Sequence, residues 1–207
     1  MTKIAVILGS HRPGRRGEGV AAWVLGQASL RTDAEFVLVD IADFALPARD
    51  EPLPPAEDAP YDRYADDGTR RWAAAVADAD GFVVVTAEHN HSVPAALKNA
   101  IDRLCPEWHD KAAGFVGYGT AGGVRAIEHL RAVFAELKVA TVRDTVLLGL
   151  ADDFAPGTDH PGPGTFTPRS FQAEALHGVL DQTIAWSTAL GTLRGGPGPA
   201  PVAHRPR

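Results

Sequence analysis

A glycine-rich segment at residues 9–19, GSHRPGRRGEG, places hydroxyl, guanidinium and backbone N–H groups close together. It follows a short apolar run and precedes a helical pattern, so its N–H groups would meet an anion at a helix N-terminus. Ser10 adds a hydroxyl donor, and Arg12, Arg15 and Arg16 add positive charge. The segment has neither the Gly-Lys-Ser/Thr ending of a P-loop nor the glycine spacing of a dinucleotide fingerprint. We expect phosphate binding here; the alternative is a glycine-rich turn with solvated arginines.

A second polar segment, residues 87–92 (AEHNHS), follows another apolar run. Its backbone N–H and C=O groups could hydrogen-bond a heterocyclic ring. His89 and His91 are spaced so that both could bind a metal, but no other histidine has a supporting spacing, so we favour no metal site. An acid–base role for Glu88 or His89 lacks a third residue to orient it.

The third segment, residues 117–123 (GYGTAGG), also comes directly after an apolar run. Its small residues would let the backbone approach a planar ligand closely. Tyr118 could stack on such a ligand or hydrogen-bond to it. The alternative, strongest for Gly122 and Gly123, is a tight strand-to-helix turn.

Apolar runs and helical stripes alternate along the chain and predict the elements that position these segments. Short apolar runs predict buried strands at 3–8, 34–40, 81–86, 112–118 and 140–150. Helices are predicted between them, among them 70–79, a helix capped by Ser92 with Pro94 in its first turn, and 170–193. Five strands alternating with helices indicate a doubly wound parallel α/β sheet, whose ligands bind beyond the carboxyl ends of the strands.

The remaining segments are rich in proline and glycine and predict irregular structure. Residues 45–60 and 151–168 are expected to be loops, and 195–207 a flexible tail on a single domain spanning 1–194. Asp152, Asp153, Asp159 and His160 read as solvated turn residues in the second loop.

Composition excludes several classes of protein. A net charge of −6 over 207 residues argues against a nucleic-acid or anionic-membrane binder, which needs a basic face. The single cysteine, Cys105, excludes an internal disulfide and reads as a packed thiol. No apolar run approaches the roughly 20 residues of a membrane span. We expect a soluble, cytoplasmic protein.

The four tryptophans are expected to be structural. Trp23, Trp72 and Trp186 fall on helical stripes and are interpreted as core or interface residues. Trp108 follows a proline in a short loop beside the proposed site, which suggests a contact between subunits.

Three segments resemble one known family when they are taken together. GSHRPGRRGE, EHNHSVPAALKNAID and YGTAGGVRA resemble the NADPH-dependent FMN reductases, which include quinone, chromate and azo-dye reductases. The resemblance covers roughly residues 3–145, and the run LKNAID within the second segment is its most specific part. It implies a flavodoxin-like five-stranded parallel sheet of order 2-1-3-4-5 with helices on both faces.

The resemblance also implies a site and a cofactor. FMN would lie with its phosphate on the first segment, its ring along the second and its other side against the third. The residues so implied are, in that order, Ser10, Arg12, Arg16, Gly17 and Glu18; Ala87, Glu88, His89 and Asn90; and Gly117, Tyr118 and Gly119. Family members are homodimers or homotetramers, which would place the helix after Pro94 and the Trp108 region at an interface beside the flavin.

The implied chemistry is hydride transfer from NADPH or NADH through the flavin to a quinone or similar small acceptor. The cofactor carries this chemistry, so no catalytic side chain is expected. The family commonly has Pro-Glu-Tyr-Asn where this chain has Ala87 to Asn90, which removes a rigid residue and an aromatic ring. Two alternatives stay open: a flavin reductase or biosynthetic flavoenzyme that supplies a partner, and an electron-transfer protein of the flavodoxin type.

Overall fold

A computed structural model of the chain describes residues 1–48, 64–155 and 164–195. The predictions made for residues 49–60, for Asp159 and His160, and for the tail after residue 195 lie outside the described residues. None of the described helices is both long and apolar enough to cross a bilayer.

Five parallel strands form one sheet of order β2-β1-β3-β4-β5, which confirms the predicted flavodoxin-like architecture. The strands are β1 (Thr2–Leu8), β2 (Ala34–Asp40), β3 (Gly81–Ala87), β4 (Lys111–Gly119) and β5 (Val139–Gly149). The helices are α1 (Gly17–Ala28), α2 (Asp67–Asp78), α3 (Ala95–Asp102), α4 (Val124–Glu136) and α5 (Phe171–Gly195), and a short 3₁₀ helix (Ile41–Phe44) follows β2.

The central strands are buried on both faces because helices cover the sheet from both sides. Every residue of β3 and β4 is buried, which explains their nearly continuous apolar sequences. One apolar layer joins the sheet to α2, α3 and α4 around Trp72 and Phe134. The other joins it to α1 and α5 around Val24 and Leu180. The carboxyl ends of β1, β3 and β4 therefore project their loops at one edge.

Helix α3 begins later than the sequence suggests. Ser92 is not its cap, because the helix starts at Ala95 and Pro94 occupies the capping position with an extended ψ of 135°. A residue before proline avoids the helical region, so Val93 cannot join the helix. The Ser92 hydroxyl instead lies 2.8 Å from Nδ1 of His129 on α4.

Trp108 is a core residue, so the predicted subunit contact is wrong. Its N–H closes a short turn onto the Cys105 carbonyl, which directs the indole inward. The ring packs edge to face on Phe82 and Phe134, and its Nε1 donates to the Ile101 carbonyl at 3.2 Å. Cys105 itself is partly buried, with its Sγ 3.5 Å from Nε2 of His109.

The 151–168 segment contains a short antiparallel hairpin as well as loop. Strands β6 (Phe154–Ala155) and β7 (Thr165–Phe166) pair with Phe154 opposite Phe166. The prediction of a solvated Asp153 is wrong: it is fully buried and accepts hydrogen bonds from the Gly149 N–H and from Arg169. Burial opposes ionisation of this carboxyl, yet Arg169 and the backbone donors hold its pKa below the ordinary value.

Lys111 at the start of β4 is buried far from the loops described above. Its Nζ donates to the Val76 carbonyl at 2.6 Å and to the Ala77 carbonyl at 3.0 Å, at the C-terminal end of α2. Burial, and then the charge of Arg194, lower the pKa of Lys111 from 10.5 to about 8.

We expect the Lys111→Met variant to change how the free energy of unfolding depends on pH. An unfolded chain binds this proton up to its ordinary pKa of 10.5, whereas the folded chain releases it near 8. The Lys111 contribution to stability therefore rises as pH increases through this window. Urea unfolding at about pH 7.5 and about pH 10 should show wild type gaining stability relative to Lys111→Met. Lys98→Met, at a partly exposed lysine, is the control, and a difference that does not vary with pH would contradict the prediction.

Candidate active site

The loop between β1 and α1 brings backbone donors to the edge of the sheet. Helix α1 begins at Gly17, and the side chain of its N-cap residue, Arg16, makes no capping hydrogen bond. Gly9 at the start of the loop donates its N–H to the Val85 carbonyl at 2.9 Å, which ties the loop to β3. Unsatisfied N–H groups and the helix dipole together favour an anion at this position.

Gly17 has no room for a side chain. A Cβ at this position would lie 2.6 Å from Cδ1 of Leu8 and 2.8 Å from Oη of Tyr118. The Tyr118 hydroxyl donates to Oγ of Ser10 at 3.3 Å. Burial raises the pKa of Tyr118, although the Ser10 hydrogen bond opposes the change. Tyr118 thus joins the end of β4 to the loop after β1 by hydrogen bonding.

The three arginines of the loop divide into two groups. The side chain of Arg15 is only 9% exposed and forms a two-point ion pair with Asp40 at the end of β2. Its Nε also lies 3.0 Å from Oε1 of Glu18. Arg15 therefore fastens the loop to β2, while Arg12 and Arg16 line the cavity at the sheet edge.

The loop after β3 is held by contacts along its whole length. The Glu88 N–H donates to the Tyr118 carbonyl at 3.0 Å. The Glu88 carboxylate accepts from the backbone N–H of Arg125 at 3.1 Å and pairs with its guanidinium at 2.5 Å. It therefore supplies the cap that Gly123 cannot provide for α4, since a carboxylate at a helix N-terminus is stabilising. These contacts hold the backbone although the family's proline is replaced by Ala87.

A tight turn follows Glu88. His89 and Ser92 exchange backbone hydrogen bonds of 2.9 and 3.0 Å, and Asn90 and His91 between them have φ values of 48° and 72°. Both central residues thus lie in the left-handed region that is uncommon for residues other than glycine. The turn fixes the direction of the His89 side chain.

His89 is half-buried and lines the cavity. Burial, and then the positive charge of Arg12, lower the pKa of His89 below its ordinary value. A neutral imidazole is therefore favoured at neutral pH, with one nitrogen able to donate and the other to accept. Within residues 1–48, 64–155 and 164–195 no group of three or more potential ligands could hold a metal ion.

The cavity at this edge has a volume of about 310 Å³. It brings together seven of the predicted site residues: Arg12, Arg16, Ala87, Glu88, His89, Tyr118 and Gly119. Ser10 and Gly17 lie beneath it, joined to it through the Tyr118 hydroxyl. Glu18, Asn90 and Gly117 are not among the residues that line it.

The three predicted residues that do not line the cavity have structural contacts elsewhere. The Glu18 carboxylate is directed to Arg15, Asn90 forms the turn, and a Cβ at Gly117 would lie 2.8 Å from the Gly122 carbonyl oxygen. Gly117 is thus required because the turn after β4 packs closely against it. A tight strand-to-helix turn is the alternative that the sequence analysis left open for Gly122 and Gly123.

Sequence reasoning missed Leu150, which lines the cavity together with Pro13 and Gly14. The Leu150 N–H donates to the Gly119 carbonyl at 3.1 Å. The predicted fifth strand could have indicated this residue, because the carboxyl end of β5 lies at the same edge of the sheet as the carboxyl ends of β3 and β4.

These residues fit FMN. Two arginines stand beside an uncapped helix N-terminus, as a phosphate requires, and Gly119 leaves the backbone bare beside Glu88, where a Cβ would come within 3.1 Å. A parallel sheet of order 2-1-3-4-5 with a ligand cavity over its carboxyl edge defines the flavodoxin-like class of proteins.

Comparisons with known proteins narrow this class to a family. The family model for NADPH-dependent FMN reductase matches residues 2–153. An NAD(P)H-dependent FMN reductase of Nectria sp is 38% identical over 164 residues, which cover 77% of this chain and 79% of the relative. A quinone reductase of Escherichia coli (strain K12) is 32% identical over 155 residues, covering 71% of this chain and 77% of the relative.

A solved structure shares the fold. FerB, a flavoenzyme NAD(P)H:(acceptor) oxidoreductase from Paracoccus denitrificans, superimposes with a TM-score of 0.68 at 22% identity, over 91% of this chain and 98% of that one. The chain belongs to the NADPH-dependent FMN reductase family. It is an oxidoreductase that uses FMN and NAD(P)H.

We expect Glu88→Gln to weaken both the fold and flavin binding, because the amide removes a charge-assisted contact between the loop after β3 and α4. Loss of a hydrogen bond to a charged group should lower the free energy of unfolding by about 1–3 kcal/mol. The affinity for FMN should fall by about three- to tenfold, since the ring-binding loop is then less rigidly held. Urea unfolding and flavin titration measure the two effects. Glu128→Gln, an exposed residue of α4 near Arg131, is the control, and equal behaviour of the two variants would contradict the prediction.

Proposed function

We propose that the protein holds FMN in the cavity at the carboxyl edge of its sheet and passes electrons from NADPH or NADH to a quinone or similar small acceptor. The observation that carries this proposal is the pairing of Arg12 and Arg16 with the uncapped N-terminus of α1. A phosphate is the ligand that satisfies both features at once.

The residues of the chain would bind and orient the cofactor. The first loop would take the phosphate, with Ser10 as a hydroxyl donor, Arg12 and Arg16 as charged donors, and the N–H groups of Gly17 and Glu18 at the helix start. Ala87, Glu88, His89 and Asn90 would present backbone groups along the ring, with Gly117, Tyr118 and Gly119 on the other side. When bound, FMN supplies the capacity to accept a hydride and to release its electrons to an acceptor.

An open apolar depression of about 480 Å³ lies beside the candidate site and supports a small aromatic acceptor. His11 of the first loop contributes to its wall, as do Ile41 and Leu46 after β2, and Ala95 and Ala96 of α3. Ligand pockets are typically apolar with few polar groups. The name of the Escherichia coli relative, quinone reductase, points to the same class of acceptor.

The proposal includes one catalytic domain over residues 1–194 that assembles as a homodimer or homotetramer, with the flavin near the subunit interface. A second copy of the chain covering the open depression would exclude water from its apolar wall. We also propose a cytoplasmic location, in keeping with the free thiol of Cys105.

The spectrum and activity of the purified protein test the proposal directly. We expect a yellow protein that releases FMN on denaturation and oxidises NADPH or NADH when 1,4-benzoquinone is added. Arg12→Gln should weaken FMN binding by about tenfold through loss of a charged phosphate contact. Arg143→Gln, which changes an exposed arginine in the middle of β5, should leave binding unchanged. A protein that takes up no FMN, or a flavin-loaded protein inert to both nicotinamides, would sink the proposal.

Sedimentation of the flavin-loaded protein tests the assembly. The chain mass is 21.9 kDa, so we expect a particle with twice or four times this mass. Coverage of the apolar depression should make assembly insensitive to salt, because apolar contacts are not screened. A monomer with full quinone reductase activity would refute the assembly while leaving the flavin site intact.

A further inference from the structure

Two histidines that the flavin site does not use lie side by side on the surface. The rings of His91 and His129 are 6.5 Å apart between their centres and are tilted by 52° to each other. Both residues are exposed, and neither is among the residues that line the cavity. His89, which the sequence pattern paired with His91, lines the cavity instead. The fold therefore places His91 beside a histidine of α4.

A tight turn fixes the backbone of His91. The flanking residues His89 and Ser92 exchange backbone hydrogen bonds of 2.9 and 3.0 Å, and His91 itself has a φ of 72°. A residue other than glycine stays in the left-handed region only where other contacts hold it there, and such positions are common at functional sites. The turn therefore limits the directions in which the His91 ring can point.

The imidazole of His129 is oriented by a hydrogen bond. Its Nδ1 lies 2.8 Å from Oγ of Ser92, which can accept a proton from it and so leave Nε2 with a lone pair. Metal-binding imidazoles commonly have their other ring nitrogen held in this way by a second polar group. In the described part of the chain, neither the His91 ring nor the His129 ring has a further hydrogen bond or ion pair.

The distance between the rings and the charges around them suit a cation held by two imidazoles. Two rings bound to one ion through bonds of about 2.1 Å have centres roughly 5–6 Å apart, so an approach of about 1 Å is enough. Rotation of two exposed side chains can provide this approach. Arg125, one helical turn before His129, is paired with the Glu88 carboxylate at 2.5 Å, which offsets its positive charge.

We propose that His91 and His129 form a two-imidazole site for a divalent transition-metal ion of the zinc class, which links the turn after Glu88 to α4. Imidazole nitrogens favour such ions, whereas Mg²⁺ and Ca²⁺ take oxygen ligands. Water completes the coordination, and Ser92 positions the His129 ring. The site does not depend on the proposed flavin site, because both ligands lie outside the cavity lining.

Calorimetric titration of the full chain with Zn²⁺, after treatment with EDTA, tests the proposal. His91→Asn removes the imidazole with a residue that tolerates the left-handed region, and His129→Gln removes the second ligand. Each change should weaken Zn²⁺ binding by at least about tenfold, because two ligands on one ion act together. His177→Gln, at an exposed histidine of α5, is the matched control and should bind as wild type does. Mg²⁺ should not bind at the pair.

The double variant distinguishes one shared ion from two independent weak sites. His91→Asn combined with His129→Gln should bind less than about twofold more weakly than either single variant, because one remaining imidazole no longer holds the ion. Ser92→Ala should weaken binding by about tenfold through loss of the group that orients His129. Losses that add in the double variant, or Zn²⁺ affinity unchanged in either single variant, would overturn the shared site.

Hydrogen exchange tests the link between the turn and α4. Bound Zn²⁺ should slow exchange of the His89 and Ser92 amides, which form the turn, in wild type but not in the His129→Gln variant. Far-UV circular dichroism in EDTA should be the same for wild type and both single variants, since the changes are at the surface. Equal exchange of these amides with and without saturating Zn²⁺ would overturn the link.

Discussion

The close packing of Gly17 against Leu8 and Tyr118 is the constraint on which the rest of the site depends. It brings the start of α1 against the ends of β1 and β4, where a Cβ would come within 2.6 Å of Leu8. At the same place the Tyr118 hydroxyl reaches Ser10 and joins the end of β4 to the loop after β1. A larger residue would push α1 outward and move its N-terminus away from the cavity, so the proposed anion site depends on this backbone packing.

Positive charge at this position has to be maintained within an acidic protein of net charge −6. Three arginines lie within five residues of one another, and their mutual repulsion is offset in different ways. Arg15 is neutralised by Asp40 and fixes the loop, while Arg16 lies over the ring of Phe154 and Arg12 remains exposed at the cavity. Contacts within the protein therefore fix the loop, and the loop presents positive charge where the cavity opens.

Long apolar runs made most of the fold predictable, and short-range geometry accounts for the errors. All five sheet strands follow from runs such as GFVVVT, because strands buried on both faces need continuous apolar sequence. Residues Phe154 and Phe166 form strands of two residues, too short to show any period, and the burial of Asp153 depends on Arg169 from beyond the hairpin. Likewise the direction of the Trp108 ring is set by a turn that composition does not reveal.

The departure from the family pattern at Ala87 and His89 changes the chemistry of the loop more than its rigidity. The loop keeps its shape through the Glu88 contacts to Tyr118 and Arg125, and through a turn whose two left-handed residues cost on the order of 1 kcal/mol each. Such a turn is stable only where other contacts hold it in place, as the paired hydrogen bonds of His89 and Ser92 do here.

The departure at His89 changes the side chain that the loop presents to the cavity. An imidazole whose pKa is lowered by burial and by Arg12 offers both a donor and an acceptor without adding charge, where the family's phenol would offer a hydroxyl and a larger ring. Acceptor preference is therefore the property that we expect this substitution to alter.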